Sequence, residues 1–340
     1  MAFETKYFVA EPHANTTAND PSSTTSFTLA YRTIGTATLP AVLMPTCFGG
    51  RLRNTFPWLY STDDGSPSVL ANHFVIVVGM LAGSESSSPS NAHPSMRGPN
   101  FPKVTIEDNI HLQYALCRAL GVTRLAAYIG NSMGALQGYH MGVMYPDFVE
   151  RIVALTGAAR ASWHNISFLE GPKAALVSSV DFCDGDYTKP ATRGTRAFGR
   201  VYSTWALSSA WFREKNWETL GFRSLWDYLE QRWENSMGKW DAHDLLCKVQ
   251  MWQRADVSAY GPVEGDFAQA LGSIKAKVLV MPSRTDLYFP PEDSMEEVRH
   301  LKHGELRIIE TVWGHVTGGG GGSKEDKDFI KASISEWLAK

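Results

Sequence analysis

The sequence predicts an α/β fold in which a mostly parallel sheet is flanked by helices and interrupted by a helical insertion. One observation is the near-continuous apolar run Phe74–Gly79, which is typical of a strand buried on both faces of a parallel sheet. A second is the alternation of such runs with helical patterns towards both ends of the chain. A third is the stretch from about residue 161 to 259, where strand patterns are absent.

The spacing of apolar residues predicts the individual elements in order. Continuous or alternating apolar runs predict strands, and helical periodicity predicts helices. The predicted strands are Phe27–Ile34, Ala41–Met44, Phe74–Gly79, Leu125–Ile129, Ile152–Thr156, Ala276–Met281 and Leu306–Ile309. The predicted helices are Asp108–Leu120, Ala135–Met144 and Lys324–Leu338. We therefore expect an α/β core of residues 1–160 and 260–340, and a helical cap, or lid, of residues 161–259.

Tryptophan is concentrated in the expected cap. Eight of the eleven tryptophans lie there: Trp163, Trp205, Trp211, Trp217, Trp226, Trp233, Trp240 and Trp252. Because aromatic side chains bury large areas, we expect these rings to pack the cap onto the core and to line a pocket beneath it. Most of them are expected to be cap core, and no single tryptophan is assigned a ligand contact.

Length and composition exclude several classes of protein. A chain of 340 residues suits one catalytic domain with a lid. The formal charge of −3 provides no basic patch of the kind that nucleic acid or an anionic membrane requires. The segment Met1–Asp20 is polar, and no apolar run is long enough to cross a bilayer. We expect a cytoplasmic protein that binds neither nucleic acid nor a membrane.

The cysteines predict neither a disulfide framework nor a metal site. They are far apart and in no paired spacing: Cys47, Cys117, Cys183 and Cys247. Reduced intracellular thiols are the simplest interpretation. The stretches Asn15-Thr16-Thr17 and Asn165-Ile166-Ser167 match the glycosylation pattern, which matters only in a secreted protein.

The stretch Gly130-Asn131-Ser132-Met133-Gly134 sets a serine between glycines, after an apolar strand and before a helix. This context is typical of a nucleophile elbow, a strained turn that presents the serine hydroxyl at the rim of a sheet. A side chain on Gly130 or Gly134 is expected to collide with the neighbouring helix or strand. The same pattern also occurs by chance in loops, but the flanking elements favour an elbow. Ser132 is the candidate nucleophile.

A serine nucleophile needs a base, and the base needs an acid that orients it. On this kind of sheet the chain order is serine, acid and histidine, and each group follows a strand end. Asp286 follows the predicted strand that ends at Met281, and His315 follows the next predicted strand. Asp286 is therefore the candidate acid, and His315 is the candidate base.

Other residues compete for these roles. Asp293 and Glu292 are alternative acids, although they follow two prolines and resemble the start of a helix. His300 and His303 flank a predicted helix end, and His140 lies inside the helix after the elbow. The remaining histidines lie before the last two loops of the sheet or in the cap: His13, His73, His93, His111, His164 and His243.

An oxyanion hole needs two backbone N–H donors. Met133 at the helix start provides the first, beside the positive end of the helix dipole. The second is expected from the loop after the strand Ala41–Met44, where Pro45 has no N–H. Cys47 is the preferred donor and Thr46 the reserve. A nucleophilic role for the Cys47 thiol is not favoured, because no histidine lies near it in sequence.

The stretch Gly318–Gly322 is the one low-complexity segment. It is not a phosphate-binding loop, because its lysine does not directly follow the last glycine and no strand leads into it in register. A flexible connection near the active site is the expected structure.

Several of these segments resemble the homoserine O-acetyltransferase family of α/β-hydrolases. The similarity is strongest between Phe74 and Arg160 and rests on Phe74–Gly79, Ser95–Pro99, Phe101–Asp108 and Gly130–Gln137. The resemblance implies an α/β-hydrolase core, a helical cap, a triad of Ser132, Asp286 and His315, and an acyl-serine intermediate. It also implies a homodimer.

Three positions depart from that family, and one of them is Asn131 in the elbow, where the family tends to have glycine. The resemblance implies a cap arginine for the substrate carboxylate, and Lys173 stands in its place, which keeps the charge but loses the bidentate fork. It also implies an aspartate after the catalytic histidine, to meet the substrate amine, and the next residue here is Val316. An aliphatic side chain cannot pair with an ammonium group, which argues against homoserine as substrate. Lys173 and Thr46 are candidate substrate-binding residues.

The leading hypothesis is a serine hydrolase of a carboxylic ester or thioester of a small metabolite. The alternative is an O-acyltransferase that uses acetyl-CoA as co-substrate and an alcohol other than homoserine as acceptor. The triad serves both reactions, and the outcome depends on whether water reaches the acyl-enzyme. A third hypothesis is a non-catalytic binding protein on this fold. No metal or further cofactor is expected.

Overall fold

The fold is built around one eight-stranded sheet. A computed structural model describes residues 4–10, 26–61, 68–259 and 265–340. The strands are β1 Lys6–Val9, β2 Thr28–Ile34, β3 Ala41–Pro45, β4 Phe74–Val78, β5 Leu125–Asn131, β6 Arg151–Leu155, β7 Lys277–Met281 and β8 Gly304–Leu306. Their order across the sheet is β1-β2-β4-β3-β5-β6-β7-β8. The first two pairings are antiparallel and the rest are parallel, which confirms the predicted sheet type.

Helices connect the strands and fill the insertion. The α-helices are α1 Pro57–Tyr60, α2 Ile106–Ala119, α3 Met133–Met144, α4 Trp163–Val177, α5 Thr192–Ala206, α6 Ser209–Arg213, α7 Leu225–Tyr228, α8 Asn235–Met237, α9 Ala242–Gln253, α10 Phe267–Ser273, α11 Pro291–His300 and α12 Lys324–Ala339. A π-helix spans Leu229–Glu234, and a 3₁₀ helix spans Gly314–Gly319. The three helices predicted from the sequence are α2, α3 and α12, each correct to within two residues at either end.

The central strands are buried on both faces of the sheet. Along β3, Leu43 packs into the apolar cluster on one side and Val42 into the cluster on the other. Along β4, Ile76 packs into the first of these clusters and Val75 into the second. Successive side chains of a strand point to opposite faces, so a strand that is buried on both sides must be apolar at every position. This is why these strands are continuous apolar runs in the sequence.

Two strand assignments differ from the sequence prediction. The edge strand β1 was not predicted, because it is short, largely exposed and pairs only with β2. The last strand was expected at Leu306–Ile309, whereas β8 covers Gly304–Leu306. Beyond β8 the pairing continues irregularly, since Ile309 forms an isolated bridge with Ser283.

Residues 161–259, which we call the helical segment, contain α4 to α9 and no strand beyond an isolated bridge between Arg160 and Asp256. Trp211 and Trp252 are fully buried. The Trp252 ring packs against Phe289 of the core, with ring centroids 5.1 Å apart. Trp163 and Trp226 do not pack the segment onto the core, because they are 86% and 67% exposed.

Three further expectations concern accessibility. In the described part of the chain, no helix has both the length and the apolar character needed to span a membrane. Asn165 of the second glycosylation pattern is fully buried at the start of α4, so this pattern is inaccessible. The first pattern, at Asn15, and the candidate His13 lie outside the described residues.

The turn between β5 and α3 brings two backbone segments into close contact. A Cβ atom on Gly130 would overlap the carbonyl oxygen of Gly134, so only glycine fits at the end of β5. A Cβ atom on Gly134 would lie 3.4 Å from Cγ of Pro45, which is an ordinary contact. The sequence-based expectation of a steric need for glycine is therefore right at Gly130 and wrong at Gly134.

We expect Gly130→Ala to destabilise the protein by about 3 kcal/mol or more, because the overlapping atom belongs to the backbone and cannot rotate away. Gly134→Ala is the matched control. It is expected to change stability by less than about 1 kcal/mol, since alanine is favoured over glycine within a helix. Chemical denaturation of both variants measures the difference. Equal free energies of unfolding would contradict the steric argument.

Candidate active site

Ser132 lies on the sharp turn between β5 and α3, with φ 55° and ψ −127°. Its N–H donates to Leu155 O at 2.9 Å, and its carbonyl accepts from Ala135 N at 2.9 Å. The loop after β6 packs tightly on this turn, because a Cβ atom on Gly157 would lie only 2.7 Å from Ser132 O. A strained backbone conformation of this kind persists only where its surroundings fix it. The position and conformation are those expected of an elbow.

Asp286 and His315 form a buried pair beside this turn. His315 Nδ1 lies 2.9 Å from Asp286 Oδ2. The other carboxylate oxygen accepts hydrogen bonds from Tyr288 N at 2.8 Å and Phe289 N at 3.0 Å. These two N–H donors stabilise the charged carboxylate, which in turn favours the tautomer with a proton on Nδ1. His315 Nε2 is then left to accept a proton.

Ser132 and His315 open into the same cavity, which has a volume of about 230 Å³. Cys47 also lines it, whereas Asp286 lies behind the histidine ring. The structure therefore brings together the three candidates that the sequence predicts to follow strand ends. Such convergence follows from the parallel sheet, since the carboxyl ends of β5, β7 and β8 meet at one edge.

The alternative acids lie elsewhere. Glu292 and Asp293 belong to the first turn of α11, as their position after two prolines predicts. Burial raises the pKa of Asp293, and a hydrogen bond from Ser162 and the charge of His164 act against that shift. Neither carboxylate is the partner of His315, which is Asp286.

Two of the alternative bases, His140 and His300, have structural partners. His140 is buried inside α3, where its Nε2 lies 3.0 Å from Glu107 Oε1. His300 lies at the end of α11 and contacts Glu296 at 3.2 Å. Among the histidines that the structure describes, His315 alone lines the cavity with the serine.

The backbone near Ser132 offers the donors that an oxyanion hole requires. Met133 is the first residue of α3, so its N–H has no acceptor within the helix and lies at the positive end of the helix dipole. Cys47 follows β3 and lines the cavity. Burial raises the pKa of the Cys47 thiol, so the side chain is a poor nucleophile and only its backbone is of interest.

Thr46 does not fit either role suggested for it. Its N–H donates to Val78 O at 2.9 Å, and its hydroxyl accepts from Met80 N at 2.9 Å. It is buried and does not line the cavity. Thr46 is therefore neither the reserve oxyanion donor nor a substrate contact, because its polar groups already connect β3 to β4 and the residues that follow it.

Lys173 is also absent from the cavity. It lies on α4, where its Nζ contacts both carboxylate oxygens of Glu170 at 2.9 and 3.1 Å. Glu170 in turn accepts from Gln253 at 2.6 Å. This local network lies outside the residues that line the cavity, so the structure does not support the predicted contact of Lys173 with a substrate carboxylate.

The sequence did not identify most of the cavity lining. The larger side chains that line it are Phe48, Phe56, Tyr202, Arg232, Trp233, Met237 and Tyr288. Trp233 is one of the tryptophans that the sequence predicts to line a pocket, and Phe48 and Tyr288 lie in loops that carry predicted site residues. Arg232 belongs to the π-helix, a distortion often found at functional sites. Val316 lines the cavity as well, so the aliphatic residue noted in the sequence does face the candidate site.

The glycine run lies beside the site, as expected. Gly319 and Gly321 line the cavity. The run is not simply a loop, because its first residues belong to the 3₁₀ helix Gly314–Gly319 that carries His315.

Comparisons with known proteins agree with this geometry. A family model described as the α/β hydrolase fold matches residues 40–317. An ethyl acetate hydrolase from Pseudomonas veronii is 32% identical over 302 residues, which cover 88% of this chain and 85% of that protein. The crystal structure of an acetylester hydrolase from Corynebacterium glutamicum is 29% identical with a TM-score of 0.89, covering 99% of this chain and 96% of the other.

The resemblance to homoserine O-acetyltransferases is also confirmed. Such an enzyme from Chloroherpeton thalassium is 28% identical over 247 residues, which cover 71% of this chain and 65% of that protein. The family-model match extends over most of the chain, from the start of β3 to the residues just after His315. The chain belongs to the α/β-hydrolase fold family.

Proposed function

We propose that this chain is a serine esterase that hydrolyses carboxylic esters of small acids and small alcohols. The observation that carries the proposal is the buried His315–Asp286 pair, whose histidine opens with Ser132 into one cavity. Relatives named ethyl acetate hydrolase and acetylester hydrolase support ester hydrolysis over other acyl chemistry.

The reaction proceeds in two halves. Ser132 Oγ attacks the ester carbonyl carbon while His315 Nε2 takes the hydroxyl proton, and Asp286 stabilises the imidazolium that forms. The N–H groups of Met133 and Cys47 stabilise the negative oxygen of the tetrahedral intermediate. The alcohol leaves with the proton from His315. Water then attacks the acyl-serine by the same route, which releases the acid and restores the serine.

The cavity favours small substrates. Its volume of about 230 Å³ is below the range of roughly 300–1,000 Å³ that is usual for pockets for drug-sized ligands. Aromatic and sulfur-containing side chains, Tyr202, Trp233, Met237 and Tyr288, form much of its wall. These groups contact an acyl chain well but leave little room for a long one.

O-acyl transfer is the second candidate, and the similarity to a homoserine O-acetyltransferase favours it. Acetyl-CoA would then be the co-substrate, and an alcohol would replace water. Val316 in the cavity wall and the position of Lys173 outside it argue against homoserine as that alcohol. Incubation with acetyl-CoA, with and without candidate alcohols, separates the two reactions. Loss of acetyl-CoA only when alcohol is present would overturn the hydrolase proposal.

We also propose that the helical segment acts as a cap over the cavity, to which it contributes Tyr202, Trp233 and Met237. The two-step reaction of Ser132, His315 and Asp286 uses no metal or further cofactor. A cytoplasmic location, expected from the sequence, and a homodimer, implied by the family resemblance, remain predictions. Fractionation of cells and analytical ultracentrifugation test them.

Ser132→Ala is expected to lower kcat for 4-nitrophenyl acetate by roughly 10⁴-fold or more, because the nucleophile is lost. Asp286→Asn is expected to lower it by about 10⁴-fold, because the wrong histidine tautomer is favoured. Ser236→Ala is the matched control, since Ser236 lines the same cavity outside the triad. Labelling with a fluorophosphonate probe is expected in this control and absent in Ser132→Ala. An unlabelled wild-type protein would point to a non-catalytic binding protein.

The chain length of the acyl group is expected to control the rate. Along a series of 4-nitrophenyl esters from acetyl to octanoyl, kcat/KM is expected to fall by at least about 100-fold, because the longer chains exceed the cavity and cost several kcal/mol to accommodate. Trp233→Ala enlarges the cavity and is expected to shift the substrate preference towards longer acyl chains. A rate that rises with chain length in the wild-type protein would contradict the size argument.

A further inference from the structure

Gln137 is a fully buried amide one turn into α3 that takes no part in the triad. Its Nε2 donates to Thr46 O at 3.2 Å and to Met133 O at 3.1 Å. Its Oε1 accepts from Gln113 Nε2 at 2.6 Å, and Gln113 Oε1 accepts from the Tyr128 hydroxyl at 2.8 Å. Because both nitrogen contacts are carbonyl oxygens and the oxygen contact is an amide donor, the network fixes which way the Gln137 amide points.

The contact with Thr46 acts on the peptide group that carries a proposed oxyanion donor. Thr46 C=O and Cys47 N–H belong to one planar trans peptide, so they point in opposite directions. Gln137 holds the carbonyl towards α3. The Cys47 N–H is therefore turned away from the Gln137 amide, and Cys47 is the residue of this pair that lines the cavity.

The peptide groups that follow are held as well. Cys47 O accepts from Gly50 N at 3.0 Å, and Phe48 O accepts from Nζ of the fully buried Lys248 at 2.7 Å. The loop is therefore anchored by the helical segment on one side and by α3 on the other. Of these contacts, only that of Gln137 reaches the peptide that contains the Cys47 N–H.

We propose that Gln137 is a positioning residue of the oxyanion hole, and that it orients the Cys47 N–H through the peptide that this N–H shares with the Thr46 carbonyl. The inference rests on the proposed function, because it takes Cys47 as a donor to an acyl intermediate. Gln137 does not line the cavity, so it acts through Cys47 and not on the substrate. Burial of an amide in a close network also makes the orientation costly to change.

Gln137→Met tests the proposal, since methionine is similar in shape and has no donor. We expect kcat for 4-nitrophenyl acetate to fall by about 10- to 100-fold, less than the 10²- to 10³-fold loss typical when a donor is removed outright. KM is expected to stay within about threefold, because the ground-state ester gains little from the hole. Affinity for a boronic acid that forms a tetrahedral adduct with Ser132 is expected to fall by the same factor as kcat.

Tyr128→Phe is the matched control, because it removes the far end of the same buried network and leaves both Gln137 donors in place. It is expected to lower thermal stability while kcat stays within about twofold of wild type. A Gln137→Met enzyme with unchanged kcat, or with a raised KM and unchanged kcat, would overturn the proposal. If the wild-type protein hydrolyses no ester, the proposed function fails instead, before any variant is compared.

A structure of the wild-type protein with the boronate bound gives a test that needs no variant. The proposal expects the boronate oxygen within about 3.1 Å of Cys47 N, with the Gln137 amide still on Thr46 O. An oxygen that meets other donors, or a Gln137 amide that has left Thr46, would overturn it. This measurement decides the question even where Gln137→Met does not fold.

Discussion

The close approach of β5 to the start of α3 is the constraint on which the rest of the site depends. It leaves no room for a side chain at Gly130, and Gly157 packs against the same turn from the loop after β6. In this turn the chain passes through Ser132 with a positive φ, and the serine lines the cavity. The same turn makes Met133 the first residue of α3, where its N–H is free of helical hydrogen bonding.

The triad depends on contacts that cross from the core to the helical segment. Gly314, next to His315, has φ 57°, and a Cβ atom there would lie 2.7 Å from Ala206 O at the end of α5. The Tyr288 hydroxyl donates to Tyr202 O at 2.5 Å, and the Tyr288 ring lies 4.6 Å from the His315 ring between centroids. The histidine is thus held by its acid, by an aromatic ring and by the helical segment. Substitutions in the helical segment are therefore expected to change the position of the His315 side chain.

The sequence predicted the parts of the site that depend on topology. Ser132, Asp286 and His315 follow strand ends, and a parallel sheet brings such ends to one edge. It did not predict what depends on the direction of individual side chains. Lys173 is suggested as a substrate contact only by the resemblance, and nothing in the spacing shows that it pairs with Glu170 outside the cavity. The roles predicted for Thr46 are wrong for a related reason. Its hydrogen bonds to Val78 in β4 and to Met80 after β4 depend on strand pairing.

The charge of the cavity restricts which molecules can accept the acyl group, beyond what the triad alone determines. Within the described residues, no aspartate or glutamate lines the cavity, and Arg232 is its one permanently charged side chain. An ammonium group on the acceptor would lose its hydration in the cavity without gaining an anionic partner, and it would lie near the Arg232 guanidinium. Both the desolvation cost and the charge repulsion oppose its binding. Water and neutral alcohols meet neither cost. The charge of the cavity therefore disfavours acceptors that carry an ammonium group without a carboxylate, since Arg232 would attract the carboxylate of an amino acid.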